Sequence, residues 1–361
     1  MMQKVKRFDY IDGMKGLAAL SVFSWHFALY TGAIYYPVDT LTSHSLTRFL
    51  IDGCVAVCVF ILLSGFSNAY SLSLKPLTIK TVRDTLVKRY LRLAVPIAPI
   101  IVIVACMRWL GLMYNYEYAE FSGVEIATSH YNHSTYPFLI LRVFKAFICS
   151  PIGDVSGIDL PLWMLKYVFI GAYFVMMMHI ITHRMRIRYR LLIIGFATFL
   201  IGYLISLYYV PALVGLALLY VFPFLNKGNY LISLFSLALT AITYLFFPDI
   251  MFPMKGVLTA IFLVVGVISC PILKMILGCG FLKWLGSISL MVYLIHMPLI
   301  CSLSCYLYIR LPISGKPILS IIVFIITLLI LLALSHFLTK WIEKKYAPQI
   351  IRMIMGKLPN I

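Results

Sequence analysis

The sequence predicts an all-α integral membrane protein with about ten transmembrane helices and both termini in the cytoplasm. Of its 361 residues, 62% are hydrophobic and only 12% are charged, and the mean hydropathy is +0.98. A water-facing globule needs more polar surface than this chain can supply, so a soluble fold is excluded. The apolar residues form runs of membrane-span length, and most basic residues lie between those runs.

Ten apolar runs are close to the roughly 20 residues that a helix needs to cross a bilayer. They cover residues 14–34, 54–74, 93–113, 161–182, 190–207, 210–226, 230–247, 256–275, 284–308 and 318–341. Between the fifth and sixth runs, Pro211 favours a tight hairpin over one long helix. The segment at about 114–160 is polar and is predicted to be an external loop, in which residues 136–145 form an amphipathic surface helix. We expect one transmembrane domain over 1–361, with no appended soluble domain.

The basic residues set the orientation. With the N-terminus inside, 22 of the 30 lysines and arginines but only four of the 12 acids face the cytoplasm, so the whole net charge of +18 lies on that side. This asymmetry follows the positive-inside rule, and an even number of spans brings both termini to the cytoplasm. No long basic block occurs, so the charge does not indicate nucleic-acid binding. Seven of the eight cysteines lie in or beside apolar runs, which implies no disulfide framework.

Polar side chains in apolar runs are candidates for a functional site, because their burial in a bilayer is costly. Asp12 comes just before the first run, which contains Lys15 and His26. Lys15 and His26 are about three helical turns apart, so both lie on one face, separated by roughly 16 Å along the axis. The alternative is a packed His26 that is hydrogen-bonded to a neighbour, with Lys15 extending to the interface.

Further polar groups lie in three other helices. Arg89 and Arg92 share one face at the start of the third helix and could grip a phosphate-bearing ligand, or could serve only to set topology. Beside Ser64 in the second run, a glycine allows close approach of another helix, which we favour, or of a ligand. In the ninth run, Tyr293 and His296 share a face at a depth similar to that of His26, which indicates a buried polar cavity. The sequence carries no metal-ligand, P-loop or GxSxG motif, so we expect no metal.

These motifs, in this order, resemble those of the membrane acyltransferase-3 family, whose members O-acylate sugars and glycolipids. Residues 12–26 resemble its opening Arg-and-His motif, 59–66 its second-helix motif, 88–96 its third, 162–167 its tryptophan motif and 286–298 its late-helix motif. The resemblance covers essentially the whole chain. It departs from the family pattern at Lys15, where the family usually has Arg, and at Val168, where it commonly has Glu. These two departures leave open an altered choice of donor or acceptor, or a weak activity.

The resemblance implies an O-acyltransferase of the cell membrane, by analogy a bacterial inner membrane. Its donor would be acetyl-CoA or another acyl-CoA on the cytoplasmic side, and its acceptor a surface glycan or glycolipid such as lipopolysaccharide. A sugar hydroxyl needs a base in order to attack a thioester, and a histidine has a suitable pKa, so His26 is the predicted catalytic base. The remaining predicted site residues are Lys15, Arg89, Arg92 and Ser64 for the donor, and Trp163, Tyr293, His296 and Asp12 for the substrate or cavity.

The main alternative is a polytopic transporter or flippase for a glycan or glycolipid, with His26 and His296 as proton-relay groups. Against it, the sequence shows no repeated pair of broken helices and no acid in the central stretch of any run. A glycan polymerase is a third reading, but such enzymes carry large external loops with basic patches. The long loop here is acid-leaning, so the acyltransferase is the favoured function.

Overall fold

The computed structural model describes residues 8–32, 45–125, 127, 159–247, 252–311 and 316–356, and these residues contain helices and no β-strand. The helices are α1 (Asp9–Tyr30), α2 (Ser45–Leu50), α3 (Gly53–Ser73), α4 (Ile79–Trp109), α5 (Asn115–Ser122), α6 (Leu165–Thr182), α7 (Ile187–Leu204), α8 (Val210–Leu225), α9 (Tyr230–Phe246), α10 (Phe252–Ser269), α11 (Pro271–Leu277), α12 (Gly280–Leu299), α13 (Cys305–Arg310), α14 (Lys316–Leu338) and α15 (Ala347–Gly356). The predicted all-α membrane class is therefore confirmed.

Seven helices of the described chain are long and apolar enough to cross a membrane, or eight if one bent pair counts as a single span. The 17-residue α9 is apolar but shorter, and α1 has 22 residues but carries Lys15 and His26, which lower its hydropathy. Each of the ten predicted runs is largely helical, although the eighth covers two helices and the ninth passes from α12 through a π-helical turn into α13. The count of ten spans stays a prediction. So does the cytoplasmic position of the termini.

The hairpin predicted between the fifth and sixth runs is present. α7 ends at Leu204, and α8 begins at Val210 after a short 3-10 turn. Pro211 lies in the first turn of α8, where its missing N–H has no intrahelical partner to lose. The break therefore follows from the local sequence.

The eighth run, 256–275, is not one straight helix. α10 and α11 meet at an angle of 98° around Cys270. Pro271 disfavours helical geometry at the residue before it, and Cys270 is extended, with φ −103° and ψ 112°. The predicted run is therefore two helices with a break at Pro271, and whether the pair forms one span stays a prediction.

Two other helices extend beyond their predicted runs. α4 begins at Ile79, well before residue 93, so Arg89 and Arg92 belong to the helix itself. α14 passes directly into a π-helical segment, Thr339–Tyr346, and then into α15. Most of the predicted external loop, including the predicted surface helix at 136–145, lies outside the described residues.

Small residues set the closest helix contacts in the core. α1 packs along α12 and α3 packs along α8. A Cβ added at Gly65 would lie 2.2 Å from the carbonyl oxygen of Ala212, so this glycine serves helix packing. The bundle centre is therefore built by α1, α3, α8 and α12.

The orientation can be tested by cysteine labelling, with the exposed Cys106 and Cys279, and Cys149 of the predicted external loop, first replaced by serine. A cysteine at Glu120 in α5 should react with a membrane-impermeant maleimide applied from outside. A cysteine at Arg186, in the predicted cytoplasmic turn before α7, should react only after permeabilisation, because the basic residues stay inside. Labelling of the Arg186 position in intact cells would reverse the topology.

Candidate functional site

Two histidines from different helices are in contact inside the bundle. His296 Nε2 lies 3.2 Å from His26 Nδ1, and the two ring centroids are 5.0 Å apart. His296 is completely buried, whereas His26 is half-buried. Sequence reasoning placed the two at similar depths, and the structure adds that they form a pair.

The surrounding hydrogen bonds assign the tautomers of this pair. His26 Nδ1 lies 2.9 Å from the carbonyl oxygen of Val22, and His296 Nδ1 lies 2.7 Å from that of Tyr293. A carbonyl oxygen can only accept, so in the neutral rings both Nδ1 atoms carry hydrogen. The Nδ1–H of His26 is then shared with His296 Nε2, and the lone pair of His26 lies on its Nε2.

A glycine contact holds the two helices close enough for this pair. A Cβ at Gly286 of α12 would lie 2.0 Å from the carbonyl oxygen of Asp12, and one at Gly16 of α1 would lie 2.7 Å from the Gly286 nitrogen. His26 and His296 each follow one of these glycines by ten residues, which is roughly 15 Å of helix. Equal spacing on two helices that run in the same direction keeps the histidines in register.

A cavity of about 290 Å³ opens beside the pair, between α1, α3, α4, α6, α12 and the π-helical segment. Its polar lining consists of Lys15, Ser64, Ser67, Arg89, Arg92, Ser289, Tyr293 and Glu343. The four predicted donor-binding residues and Tyr293 are thus gathered around one space. Three of the lining side chains are basic, so the cavity favours an anionic ligand.

The basic side chains of the cavity are held to different degrees. Arg89 Nη2 donates to Ser64 Oγ at 2.8 Å and to the carbonyl oxygen of Val168 at 3.4 Å. Lys15 Nζ lies 3.5 Å from Ser67 Oγ, whereas Arg92 is exposed. Ser64 therefore fixes the position of the Arg89 guanidinium, whereas the Arg92 side chain is accessible at the surface.

The positive charge continues into the loop between α3 and α4. Burial, and then the nearby charges of Lys88 and Arg92, lower the pKa of Lys75 in that loop. Like charges disfavour the protonated lysine, which shows that several cations share this end of the bundle. An anion approaching the cavity from this end meets a favourable potential.

Tyr293 links the cavity to the histidine pair. Its ring lines the cavity and lies 5.7 Å from the His296 ring between centroids. The Tyr293 hydroxyl donates to the carbonyl oxygen of Pro161 at 2.6 Å, and Tyr293 meets His296 through its backbone carbonyl.

Trp163 lies outside the cavity lining, in a cluster of aromatic rings. Its ring centroid is 5.9 Å from that of Tyr167 and 5.5 Å from that of Tyr208, and Tyr167 lies 5.0 Å from Tyr209. Trp163 comes from the short 3-10 helix before α6, Tyr167 from the first turn of α6, and Tyr208 and Tyr209 from the 3-10 turn before α8. They form a compact aromatic surface near the end of the bundle that the sequence assigns to the outside.

Asp12 is also outside the lining. Its backbone carbonyl packs against Gly286, so its place in the site is as part of the α1–α12 contact. His26 and His296 do not line the cavity either and meet it through Tyr293. In the part of the chain that the structure describes, no group of three or more His, Cys, Asp or Glu side chains could hold a metal ion.

Sequence reasoning missed Ser67, Ser289 and Glu343 as cavity residues. Ser67 is one turn from Ser64, and Ser289 one turn before Tyr293, so helical periodicity on the known motifs could have found both. Glu343 carried no such signal, since it stands in a basic stretch beyond the last predicted run.

The fold and the cavity define a polytopic helical membrane protein with a basic, ligand-sized cavity next to a buried histidine pair. The family model described as "Acyltransferase domain" (Acyl_transf_3) matches residues 8–339. The chain therefore belongs to the acyltransferase-3 family and is a membrane acyltransferase. No curated protein and no solved structure matches the chain significantly.

Proposed function

We propose that this protein is an O-acetyltransferase that moves an acetyl group from acetyl-CoA to a hydroxyl of a surface or exported glycan. The observation that carries the proposal is the His26–His296 pair, joined through Tyr293 to a cavity with three basic side chains. The phosphates of the donor need cations, and the acceptor hydroxyl needs a nearby base in order to attack the thioester. Family membership favours this function over the transporter.

His26 is the proposed catalytic base. Its Nε2 removes the proton of the acceptor hydroxyl while the oxygen attacks the thioester carbonyl carbon. The C–O bond forms and the C–S bond breaks, and the leaving thiolate takes the proton from His26. During attack His26 becomes a cation, and His296 Nε2 stabilises it by accepting the hydrogen bond from His26 Nδ1–H.

The cavity is the proposed donor site. Arg89, Arg92 and Lys15 would contact the phosphates of CoA, and the arm that carries the thioester would extend past Tyr293 towards the histidine pair. Arg89 is preorganised for this role, because Ser64 and Val168 fix its guanidinium before a ligand arrives. A cavity of this size takes part of CoA, so the nucleotide end would remain at the rim.

The aromatic cluster around Trp163 is the proposed contact for the acceptor. Sugar rings present C–H faces that pack on aromatic rings, and the nearby Lys166, 5.1 Å from the Tyr167 centroid, adds a cation. We place the acceptor on the external side, reached from a bacterial periplasm, with the donor in the cytoplasm. Lipopolysaccharide and other exported polysaccharides are the proposed acceptor class.

Arg89 offers a direct test of donor binding. Arg89→Ala should weaken CoA binding by about 10- to 100-fold, because a charged hydrogen bond to phosphate is lost. Arg89→Lys should recover only part of the affinity, since the planar fork that reaches Ser64 and a phosphate together is lost. Isothermal titration calorimetry on purified protein measures both.

Arg83→Ala is the matched control. Arg83 is on the same helix but does not line the cavity, and its Nη2 lies 2.9 Å from Asp84 Oδ1. It should leave CoA binding unchanged. Normal CoA binding by Arg89→Ala would restrict Arg89 to packing and topology.

The acetyltransferase proposal is tested by mass spectrometry of surface glycans from cells with the gene, without it, and with the His26→Ala form. Glycans should carry the mass increment of an acetyl group only with the active gene. Identical glycans in all three strains, together with no acetyl transfer by purified protein, would contradict the proposal.

A further inference from the structure

Glu343 is an acid in a cavity that is otherwise basic. It belongs to the π-helical segment Thr339–Tyr346, and among the described residues that line the cavity it is the single acid. Its Oε2 is buried and accepts no hydrogen bond from the described part of the protein. A buried carboxylate oxygen without a donor is unfavourable, so its presence calls for a partner that arrives with a ligand.

The local backbone supports a functional role. π-helical turns within α-helices are uncommon and occur frequently at functional sites. Here the wider turn follows α14 directly and aims Glu343 into the space that Lys15 and Arg92 also line. Position 343 also lies just beyond the residues that match the family, 8–339, so the family match assigns it no role.

The chemistry of the lining identifies what Glu343 can bind. A ligand that carries only negative charge would be repelled by this carboxylate, although three basic side chains attract it. A ligand that carries phosphates and also neutral N–H or O–H groups satisfies both kinds of side chain. The carrier of an acyl-CoA has both, with amide and hydroxyl groups on its pantetheine arm and an amino group on its adenine.

We propose that Glu343 is a donor-binding residue whose carboxylate accepts a hydrogen bond from a neutral N–H or O–H group of the acyl-CoA carrier. This proposal rests on the proposed function, because it takes acyl-CoA as the ligand of the cavity. It adds selectivity, since the basic side chains alone would accept any polyphosphate. Glu343 would make the cavity prefer the complete carrier.

Glu343→Gln tests the proposal by the sign of its effect. If the carboxylate only contributes charge, its removal leaves a more positive cavity and CoA binds more tightly. If it accepts a charge-assisted hydrogen bond, CoA binding weakens by about 10- to 100-fold. Calorimetry with CoA on the purified full-length protein decides between these signs. Unchanged or tighter binding by Glu343→Gln overturns the proposal.

Three smaller probes locate the contact. 4′-Phosphopantetheine carries the arm, adenosine 3′,5′-bisphosphate carries the base, and inorganic pyrophosphate carries neither. We expect Glu343→Gln to weaken one of the first two and to leave pyrophosphate unaffected. An equal loss for pyrophosphate would mean that Glu343 positions the cations and does not contact the carrier, which also overturns the proposal.

Two variants guard against trivial explanations. Asp84→Asn removes an acid from α4, another element that lines the cavity, where Asp84 pairs with Arg83, and it should leave CoA binding unchanged. Glu343→Asp keeps the charge but withdraws it by one methylene, so it should weaken CoA binding less than Glu343→Gln and carries the test if the glutamine form unfolds. A parental protein that fails to bind CoA would refute the donor itself, which is distinguishable from a failure of Glu343 alone.

Discussion

Acetyl transfer by purified His26→Ala protein should fall by about 10²–10⁴-fold, the usual contribution of a general base. The structure gives this expectation a specific form. The His26 lone pair is assigned to Nε2, and its Nδ1–H is shared by the Val22 carbonyl and His296. Alanine removes the base but leaves Arg89 and Arg92 in place, so CoA affinity should stay within about threefold of the parental value. Initial rates with acetyl-CoA and a glycan acceptor, beside CoA calorimetry, measure the two quantities separately.

His296 provides the internal comparison for this prediction. It contacts His26 and the Tyr293 backbone, and no part of it lines the cavity, so it acts by orienting and stabilising His26. His296→Gln can still accept from His26 Nδ1–H and should lose less activity than His26→Ala. Near-parental transfer by His26→Ala would remove His26 from the mechanism. A larger loss in His296→Gln than in His26→Ala, in a folded protein, would exchange the two roles.

Hydropathy and motif order were enough to predict most of the helices and some of the residues that line the cavity. The ten apolar runs are helical because a bilayer requires long apolar stretches whose backbone hydrogen bonds are satisfied within the segment. Both properties can be recognised from consecutive residues. Lys15, Ser64, Arg89 and Arg92 could be proposed from the sequence because each belongs to a short local motif. The structure then places them around one cavity, which hydropathy alone does not reveal.

Features that depend on contact between distant segments could not be predicted in the same way. The 98° bend between α10 and α11 follows from one proline, but its angle depends on what the two helices pack against. The direct contact of His26 with His296 depends on the α1–α12 crossing. Glu343 enters the cavity because a π-helical segment turns it there, and the sequence around it reads as an ordinary basic surface.

The glycine contact between α1 and α12 yields the second large effect. In most exposed helix interiors, Gly→Ala stabilises by up to about 1 kcal/mol, because alanine has the higher helix propensity. At Gly286 the sign should reverse. The new Cβ would lie 2.0 Å from the Asp12 carbonyl oxygen, which is backbone and can yield only if α1 moves. Overpacking of this kind costs about 1–3 kcal/mol.

Gly286→Ala should therefore lower the unfolding temperature and reduce acetyl transfer by roughly 10²-fold, since a displacement of about 1 Å at a catalytic pair costs that much. Gly280→Ala is the matched control on the same helix, because a Cβ there meets nothing within 4 Å, and it should leave acetyl transfer unchanged without lowering the unfolding temperature. The displaced element carries His26 and also Lys15, whereas Arg89 is held by α3 and α6, so transfer should fall much further than CoA binding. A stabilised and fully active Gly286→Ala protein would show that α1 and α12 are not held at this distance. The contact between His26 and His296 would then no longer be explained by the glycines.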